Sequence, residues 1–379
     1  MDTECPTVAG ESSSAPTPRR MPRPLLFALL SALVVLQGAF YLYRWASPPL
    51  GVNGSPLVGV LERHNFALAR VLLAIGVNPQ AQNDHGETVW RRAVTEGDAD
   101  IVRFLLDRGA DIEAPGPDGM SPLQFAAATS SPDVVGLLLQ RGAQMNAVSG
   151  EAPGSKPGQP GGAWVAEHRQ NCGGFRFVNQ TGCTALMIAC ILSRSDVARI
   201  LLEAGADPNV KATKGDMALH VAALEAGPDL VEPLLEHGAK TDVLGADGKT
   251  PLQIAASRSR LEIGRVLLEH GADPNGRGVH DTTPLHWVFD RVGSPPPTDD
   301  FAALLLNHGA DPNARDEDGM TPAHLAAHLE RTTLLKLLIS HGANLNAPDA
   351  AGVTPAQLAA MGRSERGAHM AQMRRRHSH

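Results

Sequence analysis

A glycine that returns every 33 residues constrains this chain more than any other feature. It stands at Gly86, Gly119, Gly182, Gly215, Gly248, Gly319 and Gly352, with Asp281 in the slot between Gly248 and Gly319, and the intervals are 33, 63, 33, 33, 33, 38 and 33. A second series, Gly76, Gly109, Gly142, Gly205, Gly238, Gly271, Gly309 and Gly342, runs with matching steps. Two rulers that agree define a unit of 33 residues, with about thirty residues inserted in one place and five in another. A unit this short cannot bury an apolar face alone, so the units must stack.

Within one unit, Thr250-Pro251-Leu252-Gln253-Ile254-Ala255-Ala256 reads as a helix start. Threonine accepts hydrogen bonds from exposed first-turn amides, and proline at the first helical position loses nothing by lacking an N–H. The paired alanines let neighbouring helices approach closely, which suits a chain with 43% apolar but only 4% aromatic residues. Leu261 to Leu268 then carries apolar residues at helical spacing, and His270-Gly271 ends that helix with a basic side chain near its negative pole and a left-handed glycine. Asp273-Pro274-Asn275 turns the chain into the next unit.

Thr283-Pro284-Leu285-His286, Thr321-Pro322-Ala323-His324, Ser121-Pro122-Leu123-Gln124 and the Gly-Ala-Asp-Pro-Asn strings at Gly205, Gly271 and Gly309 resemble the ankyrin repeat. The resemblance covers residues 55–373. It implies an all-α repeat solenoid of helix pairs joined by projecting hairpin fingers, whose inner helices and fingers form a concave surface that binds other proteins. Ser55 to Val77 lacks the Thr-Pro start and reads as an N-terminal cap. Gly352 to Met373, which runs into the basic tail 374–379, reads as a polar C-terminal cap. Val89-Trp90, Ala185 and Met217-Ala218 depart from the usual helix start without altering the fold expected.

Ahead of the repeats, residues 1–22 are rich in Ser, Pro and Thr and read as a disordered tail. Leu25 to Tyr43 is nineteen residues without a charge. As a helix it spans about 28 Å against a hydrocarbon core of about 30 Å, so residues 23–45 are expected to cross a membrane once, with a linker at 46–54. Arg19, Arg20 and Arg23 precede the run and Arg44 follows it, which keeps the tail in the cytoplasm and sends the repeats across. Phe40, Tyr41, Tyr43 and Trp45 lie where an interfacial aromatic belt would stand. A cleavable signal peptide is the alternative, weakened by the length of the run and by Arg44 close to Ala46. Six Lys against twenty-seven Arg, with abundant Ala, Gly and Pro, favours a bacterial source, and hence an inner-membrane protein with its repeats in the periplasm. A net charge of −7 argues against a nucleic-acid partner.

The insertion, residues 148–180, is the largest departure from the repeat. Ser149 to Gly162 is a Gly/Pro/Ser tract that reads as flexible. Trp164, Phe175 and Phe177 follow, in a chain poor in aromatics, and are expected either to anchor a partner or to pack over neighbouring units. Cys172 and Cys183 enclose ten residues and would face an oxidising compartment, so a bridge between them is expected, contributing up to about 3 kcal/mol; coincidental thiols are the alternative. Cys190, in the second slot of an Ala-Ala pair, is expected to be a buried small apolar residue, and Cys5 would face the cytoplasm. The smaller insertion, Gly293 to Asp300, reads as a stiff linker between two helices.

His220, His286 and His324 fill the slot that the resemblance assigns to a hydrogen-bonding imidazole between units, and His237, His270, His308 and His341 precede helix-ending glycines. His324 and His328 share a helix face at zinc-site spacing, yet no glutamate follows His324 and no third ligand is evident. His377 and His379 lie on a tail with no fold to orient them. No phosphate loop, dinucleotide fingerprint, nucleophile elbow or C-x-x-C occurs, and the repeats leave no room for a catalytic domain. The expectation is a non-enzymatic, membrane-anchored scaffold that binds a protein partner and needs no cofactor, metal or small-molecule substrate. The rivals are a metal-dependent hydrolase seated in the insertion, and a cytoplasm-facing or secreted binding module.

Overall fold

The computed structural model describes residues 57, 60, 66–74, 88–116, 119–129, 131–150, 182–289 and 299–375. The proposed membrane segment, most of the insertion and the end of the basic tail lie outside them. No helix among the described residues is long and apolar enough to cross a membrane, and none of them forms a strand.

The 33-residue unit folds as a pair of short helices. After α1 (Phe66–Ala74) come α2 and α3 (Val89–Glu96, Ala99–Asp107), α4 and α5 (Pro122–Thr129, Pro132–Gln140), α6 and α7 (Ala185–Ile191, Ser195–Glu203), and α8 and α9 (Ala218–Glu225, Pro228–Glu236). The remaining pairs are α10 and α11 (Pro251–Ser257, Leu261–Glu269), α12 and α13 (Pro284–Trp287, Asp299–Asn307), α14 and α15 (Pro322–His328, Thr332–Ser340), and α16 and α17 (Pro355–Ala360, Arg363–Arg375). First helices α2 to α16 stack on one another as one layer, and second helices α3 to α15 form the other. The stack is the all-α repeat architecture that the ankyrin resemblance implies.

Each boundary follows from local chemistry. Thr88, Thr184, Thr250 and Thr354 accept the amide three residues on, and so begin their helices even where Val89 or Ala185 replaces proline. At the other end, Gly109, Gly142, Gly205, Gly238, Gly271, Gly309 and Gly342 all take the left-handed conformation. That turn lets the next alanine donate back to Leu105, Leu138, Leu201, Leu234, Leu267, Leu305 and Leu338 at 2.9–3.0 Å. Where a non-glycine stands in such a place the backbone is held against its preference, as at Asp281, with φ 56° in the slot of the repeat glycine.

The core runs the length of the stack. The paired alanines Ala126-Ala127, Ala222-Ala223 and Ala255-Ala256 are fully enclosed, and Cys190 takes the second slot beside Ala189 with no exposure, as expected. Ala359 and Ala360 occupy the same register in α16 and are exposed, because no first helix stacks beyond them. The sixth pair is the least regular. Its first helix has four residues, Val288-Phe289 replaces the alanine pair, and Asp281 stands in the glycine slot. Asp299 and Asp300, expected in the linker, form the first turn of α13.

Candidate functional site

The finger side of the first-helix layer is positioned by side chains that bridge one unit to the next. The His286 Nδ1 accepts from the Thr283 amide at 3.1 Å, and its Nε2–H donates to the Met320 carbonyl of the next finger at 3.2 Å. His324 repeats this with Thr321 at 3.0 Å and Val353 at 3.1 Å, and His220 with Met217 at 3.3 Å and Val243 at 2.9 Å. Glutamine does the same work in other units. The Gln253 Oε1 accepts from Thr250 at 3.0 Å while its Nε2 donates to Gly276 and Thr282, and Gln124 accepts from Ser121 and donates to Ala147 and Cys183. Burial pushes His286 down to about 4, and pushes His220 and His324 down as well, so the rings stay neutral and keep an acceptor and a donor each.

At the turns that end the second helices, asparagines make a further ladder. The Asn209 amide donates to Gly238 and accepts from Lys240; Asn275 does so with Gly309 and Asp311, and Asn313 with Gly342 and Asn344, at 2.7–2.9 Å. The histidines before the glycines act within their own helices: the Nδ1 atoms of His237, His270, His308 and His341 lie 2.8–3.0 Å from the carbonyl four residues back. They close helix ends and do not converge on a ligand.

Both bridging systems continue unbroken across the insertion. Asn146 reaches the Asp207 amide at 2.9 Å across 61 positions, and Gln124 reaches the Cys183 carbonyl at 3.1 Å across 59. The neck is tied by Ser149, whose amide donates to Cys183 at 3.0 Å, whose carbonyl accepts from Gly182 at 2.9 Å, and whose Oγ accepts from the Gly182 and Cys183 amides at 3.1 Å. Gly182 is required there, because a Cβ at its φ of 90° would stand 2.6 Å from the Thr213 amide nitrogen. Ser149 and Gly150, expected in the insertion, are therefore tied to the repeat framework. Trp164, Cys172, Phe175 and Phe177 lie outside the described residues. Cys183 is buried, and burial followed by the charge of Asp216 pushes its thiol up to about 12.

The C-terminal helix reaches back from the end of the stack. α17 has thirteen residues and turns onto the finger side. Arg366 pairs with Glu330 in the turn between α14 and α15. The His369 Nε2 lies 2.6 Å from Asp349 Oδ2, with His369 nearly and Asp349 fully buried. Met370 and Met373 of α17, with Trp287, Phe289 and Leu325, line a cavity of about 620 Å³, and Asp316, Glu317 and Asp318 border it from the finger. His280, paired with Glu317, closes the same border.

Sequence comparison matches ankyrin repeats (3 copies) to residues 57–149, 219–295 and 296–369, and a single ankyrin repeat to 181–213. The chain belongs to the ankyrin-repeat family. No individual curated protein matches it. The matched segments of this ankyrin chain break off at Ser149 and resume at Thr181, the two sides of the Ser149 neck. Ankyrin repeats are a protein–protein interaction module. The metal reading of His324 and His328 meets an obstacle: both His324 nitrogens are already engaged by Thr321 and Val353. Among the described residues, no three His, Cys, Asp or Glu side chains cluster as a metal would need. The cavity under α17 was not foreseen. Its one visible trace in the sequence is a carboxylate at Asp316 and Asp349, three residues before the repeat glycine, where other units have Gly116, Ala212, Gly245 and Gly278.

Proposed function

We propose that this ankyrin chain is a non-enzymatic scaffold, anchored by residues 23–45 in a bacterial inner membrane, which presents its finger side and its insertion to a protein partner in the periplasm. The observation that carries the reading is the neck. Ser149, Gly182 and Cys183 close the finger, and Gln124 and Asn146 carry the register past it, so the described units are in direct register across residues 151–181. A segment of that length, which enters the chain at one finger and holds Trp164, Phe175 and Phe177, is suited to recognition. Each aromatic would contribute on the order of 2 kcal/mol as an anchor. The bridged fingers are rigid in advance, so binding orders little and loses little entropy.

Replacing residues 151–181 by a single residue, with Val148 to Gly150 and Gly182 kept so that the 33-residue spacing is restored, is the test. The variant is expected to unfold within a few degrees of the parent but to lose the protein labelled by a proximity enzyme fused after His379. Unchanged labelling would move recognition to the first helices, and a large loss of thermal stability would assign the aromatics to packing. The same fusion site decides topology: a reporter active only outside the cytoplasm should be active there, and a cytoplasm-only reporter working at that position would overturn the periplasmic assignment.

The Cys172–Cys183 bridge remains part of this proposal. Native alkylation cannot test it, because Cys183 is shielded by burial in either state. Alkylation after denaturation without reductant can: a bridged chain leaves Cys172 and Cys183 unmodified while Cys190 reacts, and modification of all of them would end the idea.

A further inference from the structure

The repeat supplies an internal comparison for the cavity under α17. Asp316 and Asp349 are equivalent, 33 residues apart, and hold their fingers in the same way. The Asp349 Oδ1 accepts from the amides of Ala351 and Val353, both at 2.9 Å; the Asp316 Oδ1 accepts from Asp318 and Met320 at 3.1 and 2.8 Å. The second oxygens differ. That of Asp349 receives the His369 imidazole at 2.6 Å, whereas that of Asp316 has no hydrogen-bond partner among the described residues, and Asp316 itself lines the cavity. One unit thus has its nitrogen donor built in by α17, and the unit before it has the same acceptor with the seat left open.

We propose that this cavity is the seat for a cationic side chain, flanked by apolar residues, of a polypeptide partner. The inference rests on the scaffold reading above and names the chemistry of what the finger side recognises. The cavity is in the size range of ligand sites and has an apolar floor, with Phe289, Leu325, Met370 and Met373 suited to apolar neighbours of the cation. Methionines adapt to differing apolar shapes. Trp287, on the same wall, already takes a cation on its ring, with Lys249 Nζ 3.5 Å from the centroid. Asp316, Glu317 and Asp318 give the border its acidic character, so a basic group is drawn in and an acidic one repelled. Burial, and then the neighbouring Asp318 and Glu317, push the Asp316 carboxyl up to about 6. No other unit has a carboxylate in this register except the one occupied by His369.

The probes are rhodamine-labelled nine-residue peptides of matched apolar composition, centred on Lys, Gln or Glu and titrated into the full-length chain at low salt. The Lys peptide should bind about tenfold more tightly than the Gln peptide, and the Glu peptide more weakly than either. Asp316→Asn keeps an oxygen for the Asp318 and Met320 amides, so it should leave thermal unfolding intact while reducing the Lys preference to less than about twofold. Asp107→Asn, an exposed carboxylate on α3, should leave the preference unchanged and controls for overall charge. Equal binding of Lys and Gln peptides, absence of binding into the millimolar range, or a preference that survives Asp316→Asn would each overturn the proposal. Binding that emerges only after removal of residues 374–379 would make the chain's own basic tail the occupant, and would overturn it too. Asp316→Asn also separates the two readings: labelling of a partner that is unchanged by it sinks the cationic seat and leaves the scaffold standing.

Discussion

His286 shows how one side chain serves stack and stability together. Its Nδ1 must stay unprotonated to accept from Thr283, so a proton there would face the Thr283 amide proton across 3.1 Å. The folded value of about 4 lies below an unfolded value near 6.5, so the unfolded chain binds the proton first. The contribution is therefore complete above about pH 6.5 and is lost as pH falls toward 4, a change of about 3 kcal/mol at most. His220 and His324 are lowered by burial and act in the same direction. Gln124 and Gln253 show that an amide meets the same bonding demand without titrating. His286→Gln should accordingly keep the stability of the parent at pH 7.5 and lose about 2 kcal/mol less on going to pH 4.5, as read from urea unfolding. An equal acid loss in both proteins would show that His286 does not govern the acid limb.

At the scale of elements, the second-helix layer depends on one close fit. Gly264 in α11 faces the ring of Phe301 in α13, and a Cβ there would stand 2.5 Å from the ring's Cζ. The equivalent residues in the two preceding units are Ala198 and Val231, so glycine here answers the bulk of Phe301 and not any backbone need. Gly264→Ala should destabilise by about 1–3 kcal/mol through overpacking, despite the roughly 1 kcal/mol that alanine gains in a helix interior. In a Phe301→Leu background the clash is relieved, and the same substitution should be neutral or stabilising. Chemical unfolding of the four proteins forms a double-mutant cycle, and additive effects would rule out the knob-and-hole relation.

For the whole molecule, the consequence of stacking is that damage stays local. Among the described residues each first and each second helix packs on its counterparts in adjacent units, and α17 is tied to the seventh and eighth pairs through Glu330 and Asp349. His369→Ala leaves the fully enclosed Asp349 carboxylate without its partner, at a cost of about 3 kcal/mol. α17 should then open, and hydrogen exchange should rise across residues 363–375 and the Asp349 finger while the pairs before α10 keep their protection. Protection lost uniformly along the chain would mean that the stack unfolds as one unit and that α17 is integral to it.

The sequence by itself determined the repeat, its helix pairs and its bridging slots, because each is specified by residues a few positions apart. A Thr caps an amide three residues on, a left-handed Gly closes a turn within five, and the His or Gln that bridges units returns at the period of the glycines. It also marked where the pattern fails, at residues 148–180 and in the sixth unit. What the departures do was decided only by tertiary structure. The Ser149 neck, the Phe301 knob over Gly264, the turn of α17 onto the fingers and the open acceptor of Asp316 all depend on distant pairs such as Asp349 with His369, or Gln124 with Cys183. Such pairs leave no periodic trace, because they are formed by where folded helices happen to bring two side chains and not by the spacing of either along the chain.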